Sequence, residues 1–142
     1  MMQNMTRVTL AFWIVLGGPV ILDISARADA VVQFSTPSRG IGCIAFEGLL
    51  RCDVTGGVIP LPPRPRACST EVAYGQGLQM RATGTARVVC AGDTAMGGTR
   101  IIPYGTTWRY GGFACASSRN GLRCTNRSGR GFFIARGQAY RF

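Results

Sequence analysis

Cys43-Ile44-Ala45-Phe46-Glu47-Gly48-Leu49-Leu50-Arg51-Cys52 is matched downstream by Cys115-Ala116-Ser117-Ser118-Arg119-Asn120-Gly121-Leu122-Arg123-Cys124. Both segments are C-x8-C, both carry Gly-Leu in the second half, and both end in Arg-Cys. With Glu47-Gly48 as a two-residue loop, Phe46 faces Leu49, Ala45 faces Leu50, Ile44 faces Arg51 and Cys43 faces Cys52. The loop-flanking pair is hydrogen-bonded and the two pair classes then alternate. Cys43/Cys52 is therefore a non-hydrogen-bonded pair with Cα atoms about 4.5 Å apart, close enough for a disulfide. Cys115/Cys124 has the same spacing, and Asn120-Gly121 supplies turn chemistry. Each short-loop bridge is worth about 2–3 kcal/mol. Two of the six cysteines remain, so Cys68–Cys90 follows by elimination among the pairings that six cysteines allow.

Period-2 alternation puts Phe113, Cys115, Ser117, Leu122 and Cys124 on one face of the second hairpin, the expected core face. Ala114, Ala116, Arg123 and Thr125 occupy the other, and Arg127 continues it if the strand persists. The first hairpin has Ile44, Phe46 and Leu49 on the face away from its cystine, so it is expected to be buried on both sides. The alternation of Phe132 and Ile134 with Phe133 and Ala135 is apolar throughout and predicts a strand buried on both faces.

Cystines fit the start of the chain. A short polar stretch with Arg7 precedes an apolar run, Val8 to Leu22, and then Ser25-Ala26-Arg27-Ala28-Asp29-Ala30. This is the order of a secretory signal peptide, residues 1–28, with cleavage after Ala28 or Ala30. A membrane-spanning helix needs about 20 apolar residues; this run is shorter and contains Pro19. Residues 29–142 then form one β-rich, disulfide-containing domain, periplasmic or extracellular, in an oxidising compartment.

Short β-favouring runs separated by Gly and Pro dominate the remainder. Expected strands are 31–34, 41–46, 49–54, 79–81, 86–90, 100–103, 107–110, 113–117, 122–126, 132–136 and 140–142. Residues 55–66 (TGGVIPLPPRPR) read as a structural loop of polyproline character, and the stretch after Cys68 as one helical turn. The fold class is mainly β: a small disulfide-stapled β-sandwich or barrel built from hairpins.

All 16 basic residues are Arg, against 6 acids, for a net charge of +10. From Asp29 to Asp93 six arginines meet five acids; from Thr94 to Phe142 there are eight arginines and no acid. Such asymmetry points to a polyanionic partner.

Several motifs occur together: Thr36-Pro37-Ser38-Arg39-Gly40-Ile41-Gly42-Cys43, Arg51-Cys52-Asp53, Cys90-Ala91-Gly92-Asp93-Thr94, Pro103-Tyr104-Gly105, Gly121-Leu122-Arg123-Cys124-Thr125-Asn126, Gly131-Phe132-Phe133-Ile134-Ala135-Arg136 and Tyr140-Arg141-Phe142. In this order they resemble an exported bacterial six-cysteine family catalogued as a domain of unknown function. The resemblance implies export and cystines but no chemistry. Members often carry Gly-His-Gly-Phe and Ser-Arg near the end; here Arg130 stands at the His position and Ala135 at the Ser position.

With no His in the chain, Ser-His-Asp and Cys-His catalysis are excluded. Histidine-containing and C-x2-C zinc sites are excluded too, and no motif calls for a cofactor. A glycosidase needs two carboxylates across a cleft; Asp93, with Asp53 or Glu71, is the only candidate set. The plain alternatives are a turn residue for Asp93 and an ion-pair partner of a nearby Arg for Asp53. The stronger candidate is a basic surface of Arg119, Arg123, Arg127 and Arg130, since guanidinium forks suit phosphate and carboxylate. Tyr104, Trp108 and Tyr110 are candidate stacking partners, or core-edge residues. The sequence thus favours a non-catalytic envelope module whose basic C-terminal face meets an anionic polymer, a lipid head group or an acidic protein. Nucleic acid is a poor partner for an exported chain. The other readings are a hydrolase-like domain using Asp93, and an inhibitor presenting the Arg119-Asn120-Gly121 turn to a secreted enzyme.

Overall fold

The structure, a computed structural model, describes residues 30–142; the expected signal segment 1–28 lies outside them. It contains ten strands: β1 Val32–Ser35, β2 Ile41–Phe46, β3 Leu49–Val54, β4 Tyr74–Arg81, β5 Arg87–Cys90, β6 Thr107–Tyr110, β7 Phe113–Ser118, β8 Gly121–Thr125, β9 Gly131–Ala135 and β10 Gln138–Arg141. They form two antiparallel five-stranded sheets, β1-β2-β3-β4-β5 and β6-β7-β8-β9-β10, each in chain order. This is the expected small disulfide-stapled sandwich.

The two cystine hairpins set the register. Cys43 pairs with Cys52 and Phe46 with Leu49; Cys115 pairs with Cys124. Disulfides join Cys43–Cys52, Cys68–Cys90 and Cys115–Cys124, and no cysteine is free. Cα separations in the two hairpins are 4.1 Å. Three disulfides belong to an oxidising, non-cytoplasmic environment. Among the described residues no helix is long and apolar enough to cross a membrane. Glu47 (φ 46°) and Gly48 (φ 72°) make the first turn, with both central residues left-handed as a tight hairpin requires. The second turn is one residue earlier than Asn120-Gly121: Ser118 pairs with Gly121, so Arg119 and Asn120 form the loop and Gly121 opens β8.

The sheets are two versions of one five-stranded unit. Phe34 pairs with Cys43 and Trp108 with Cys115. On the next strand, Cys52 pairs with Leu78 and Leu50 with Met80, as Cys124 pairs with Phe132 and Leu122 with Ile134. One rung further, Asp53 pairs with Gly77 and Thr125 with Gly131. A Cβ on Gly77 would collide with the carbonyl oxygen of Cys52, and one on Gly131 with that of Cys124. Glycine at both positions is thus a consequence of close backbone approach. β4 starts at Tyr74 rather than near Gln79, and Gly77 within it is a strand residue that has no room for a side chain.

The cystine faces of both sheets meet in one core. Phe34, Cys43, Ala45, Leu50, Cys52, Leu78 and Met80 face Trp108, Phe113, Cys115, Leu122, Cys124, Phe132 and Ile134, all buried. The Phe34 and Trp108 rings lie 4.6 Å apart, so the register-equivalent aromatic residues touch each other between the sheets. Ser117 completes the predicted inner face of the second hairpin and is also buried.

Elsewhere the expectations need correction. Residues 100–103 are not a strand; a single parallel bridge joins Ile101 to Ser35 and carries the chain from the first sheet to the second. The stretch after Cys68 forms turns, with the Val72 N–H donating to the Ser69 carbonyl, rather than a helical turn. The loop 55–73 reaches across to the second sheet, where its Ile59 carbonyl accepts from the Ala139 N–H on β10. Phe133 on β9 is only half-buried, so this strand is apolar on both faces but enclosed on one.

Candidate anion-binding face

The outer faces of the equivalent sheets differ. On the first, Arg51 and Asp53 project away from the core, and residues 93–98 lie across them. Gly42 makes room for that segment: a Cβ there would meet the Met96 Cα at 2.7 Å and the Ala95 carbonyl at 2.8 Å. Gln33 donates to the Ala95 and Met96 carbonyls, and Ser35 to the Gly98 carbonyl.

Arg51 is the centre of this covered face. Its Nε and Nη2 donate to Asp53 at 2.9 and 2.8 Å. Its Nη1 donates to the Asp93 carboxylate at 2.6 Å, and Nη2 also to the Asp93 carbonyl and the Gln76 side chain. Asp53 further accepts from the Ala95 N–H at 2.8 Å and from the Thr94 hydroxyl. Burial alone would lower the Arg51 pKa, but its bonds to the two carboxylates outweigh that and raise it. Asp93 is held below the usual carboxylate range, mainly by the hydrogen bond from Arg51. The side chains of Arg51 and Asp53 are 7% and 3% exposed, that of Asp93 84%. Asp53 is thus an ion-pair partner, and Asp93 is a second partner of the same guanidinium. Glu71 is exposed in the loop preceding β4.

On the second sheet the same rung runs Thr107–Ala116–Arg123–Phe133–Tyr140. Among the described residues no segment covers it. Arg123 is exposed, and its guanidinium lies 3.9 Å from the centre of the Phe142 ring. Phe133 stacks on Tyr140 at 5.2 Å, and Tyr140 lies 6.4 Å from Phe142. Arg109 and Ala114 form the neighbouring rung, with Thr125. The face is therefore three aromatic rings, two exposed arginines and a shallow floor of Ala114, Ala116, Thr107 and Thr125.

The four sequence-predicted arginines do not converge. Arg123 lies mid-strand on this face. Arg119 sits in the β7–β8 turn, over the Tyr104 ring at 5.2 Å. Arg127 and Arg130 sit in the β8–β9 turn at the opposite end of β8, about 13 Å away at 3.3 Å per residue. Arg130 shares a hollow of about 530 Å³ with Tyr140, Arg141 and Phe142; Arg127 leans on Gly112. All four are exposed. Asn126 explains the separation: its side-chain oxygen accepts from the Ser128 and Arg130 N–H groups, folding the chain into a turn that ends the strand.

The stacking residues differ too. Trp108 is 5% exposed and belongs to the core, whereas Tyr110 stacks beside it at 5.9 Å. The rings that flank Arg123 come from β9 and the C-terminal segment. Arg109, Phe133, Tyr140 and Phe142 were missed because they lie on strands separated in sequence. The available signal was alternation: Phe133 and Tyr140 share the outward parity of their strands once the core face is fixed by Cys124.

No curated protein and no solved structure matches the chain. The resemblance carried by the short motifs is borne out across nearly the whole sequence: a family model matches residues 15–142, and the chain belongs to the Family of unknown function (DUF6636).

Proposed function

We propose that the protein is an exported, non-catalytic binding module of the cell envelope, and that the outer face of its second sheet holds an anionic partner. The observation that carries this reading is Arg123: exposed, stacked on Phe142, and without a carboxylate partner among the described residues. A guanidinium stacked on a ring keeps its in-plane N–H donors directed outward. Residues 94–142 contain no Asp or Glu side chain to compete for them. Envelope polymers, lipid head groups and acidic proteins all carry suitable anions. Export rests on the signal-like start of the sequence and on the cystines, and is tested by the N-terminus of the secreted protein, expected at Asp29 or Val31.

The hydrolase-like reading has less support. Asp93 and Asp53 bind one guanidinium, and Asp93 is depressed rather than raised, opposite to what a general acid needs. The inhibitor reading rests on the exposed Arg119-Asn120 turn alone.

Charge by itself retains a basic protein on an anionic resin, so the test compares sites at equal charge. Arg109→Ala/Arg123→Ala and Arg39→Ala/Arg66→Ala each remove two positive charges from exposed positions. The first pair is expected to elute from an immobilised polyanion at clearly lower salt than the second. Equal elution of the two would refute a localised site.

A further inference from the structure

The internal equivalence of the two sheets says what Arg123 is built to hold. Arg123 and Arg51 each directly precede the second cysteine of their hairpin and occupy the same rung of equivalent sheets. In the first sheet that guanidinium takes two carboxylates, Asp53 on its own strand and Asp93 from the segment laid across the face. In the second sheet the position equivalent to Asp53 is Thr125, and no segment among the described residues supplies a counterpart of Asp93. The same arginine on the same scaffold is thus filled from within on one side and open on the other.

From this juxtaposition we infer that the outer face of the second sheet binds a carboxylate-bearing polysaccharide, a polyuronate-like chain, with Arg123 taking the carboxylate that Asp93 supplies internally in the first sheet. The inference rests on the reading of this face as an anion site and narrows it to one ligand chemistry.

Three further equivalences favour a glycan over a peptide. The segment covering the first sheet is a peptide, and its Ala95 N–H is accepted by Asp53. With Thr125 in place of Asp53 and no acidic side chain on the second face among the described residues, a peptide laid there loses that charged acceptor. A uronate chain instead brings carboxylate and hydroxyl oxygens, which match a face of arginine donors. Second, Gln79 and Arg87 of the first sheet correspond to Phe133 and Tyr140 of the second. Tyr140 is 48% exposed, so two polar residues of the first sheet's outer face are replaced by rings on the second, and sugar C–H faces pack on rings. Third, Ile44 corresponds to Ala116, which leaves a flat floor beside Arg123 where the first sheet has a bulkier side chain.

The test measures binding of the full mature chain to polygalacturonate, dextran sulfate, poly-L-glutamate and neutral dextran by calorimetry at low and moderate salt. Polygalacturonate is expected to bind about tenfold more tightly than either other polyanion. Arg123→Gln and Tyr140→Ala are each expected to weaken it about tenfold, as loss of a charged hydrogen bond or a stacking ring implies. Both positions are exposed, and unchanged melting temperatures establish that the variants fold. Equal binding of dextran sulfate, with Arg123→Lys as good as wild type, would overturn the carboxylate inference and leave the anion site standing. Equal binding of poly-L-glutamate would overturn the glycan class. Binding of no polyanion would overturn both the inference and the site it rests on.

Discussion

Replacing Arg51 with methionine tests whether the covered face of the first sheet is held by its buried charge cluster. Methionine keeps much of the stem's volume and removes only the guanidinium. Five hydrogen bonds go with it: three to the Asp53 and Asp93 carboxylates, one to the Asp93 carbonyl and one to Gln76. The Asp53 side chain, 3% exposed, then retains only its bonds from the Ala95 N–H and the Thr94 hydroxyl. Breaking a buried pair by removing one partner costs about 3–5 kcal/mol, a large part of the 5–15 kcal/mol typical of a domain. At roughly 4 °C per kcal/mol for a chain of this size, the melting temperature falls by roughly 12–20 °C. Asp93→Ala is the internal control: its side chain is 84% exposed, so its loss is expected to lower the melting temperature far less than that of Arg51. Arg51→Met/Asp53→Leu is expected to be less destabilised than the sum of its single variants, because no unpaired carboxylate remains. Urea and thermal unfolding followed by circular dichroism give all four values. A loss of 1 kcal/mol or less for Arg51→Met would refute the reasoning, since that is what an exposed pair contributes.

Acid loosens the same cluster: Asp93 is depressed by Arg51, so its contribution is present above the ordinary carboxylate value near pH ~4 and is lost as pH falls through the folded value. Hydrogen exchange at the Ala95 amide is expected to speed up there relative to Leu122, and Asp93→Asn to flatten that dependence. Among the cystines, Cys68–Cys90 is expected to be reduced first under native conditions, because Cys90 is exposed while Cys43, Cys52, Cys115 and Cys124 are fully buried; alkylation and mass spectrometry read the order. Replacing Cys115 and Cys124 together with alanine is expected to cost about 3 kcal/mol from loop entropy, measured by urea unfolding. Gly131→Ala is expected to destabilise by about 1–3 kcal/mol or more, because its methyl meets the Cys124 carbonyl; a neutral effect would refute the close approach.

Hairpin arithmetic reached far into this fold because a two-residue loop and a cystine each fix register independently, and here they agree. Cys43 opposite Cys52 determines which side chains point inward, and that places Phe34, Leu50, Leu78 and Met80 in the core. The duplication was harder to read, since the shared Gly-Leu letters mislead: Gly48-Leu49 and Gly121-Leu122 sit one residue out of step, and Leu50, not Leu49, matches Leu122. The Phe34–Trp108 equivalence is likewise hidden by different turn lengths before each hairpin. Clustering of arginines along the chain overstated their proximity, because the turn at Asn126 sends Arg127 and Arg130 away from Arg119. The face that does form draws on β6, β8, β9, β10 and the C-terminal Phe142, a convergence that only strand order reveals.

Strand order also bears on how the chain folds. Every strand within a sheet pairs with its neighbour in sequence, and each of the three cystines closes within one half of the molecule. Apart from β3–β4, joined by the long loop 55–73, these pairings close short loops, which places the protein toward the fast end for an all-β chain. The N-terminal half can pair its strands and oxidise its four cysteines before the C-terminal half has docked on it. Thiol oxidation is thereby separated from docking of the halves, and a wrong cystine between them would have to form against the local order that each hairpin already imposes.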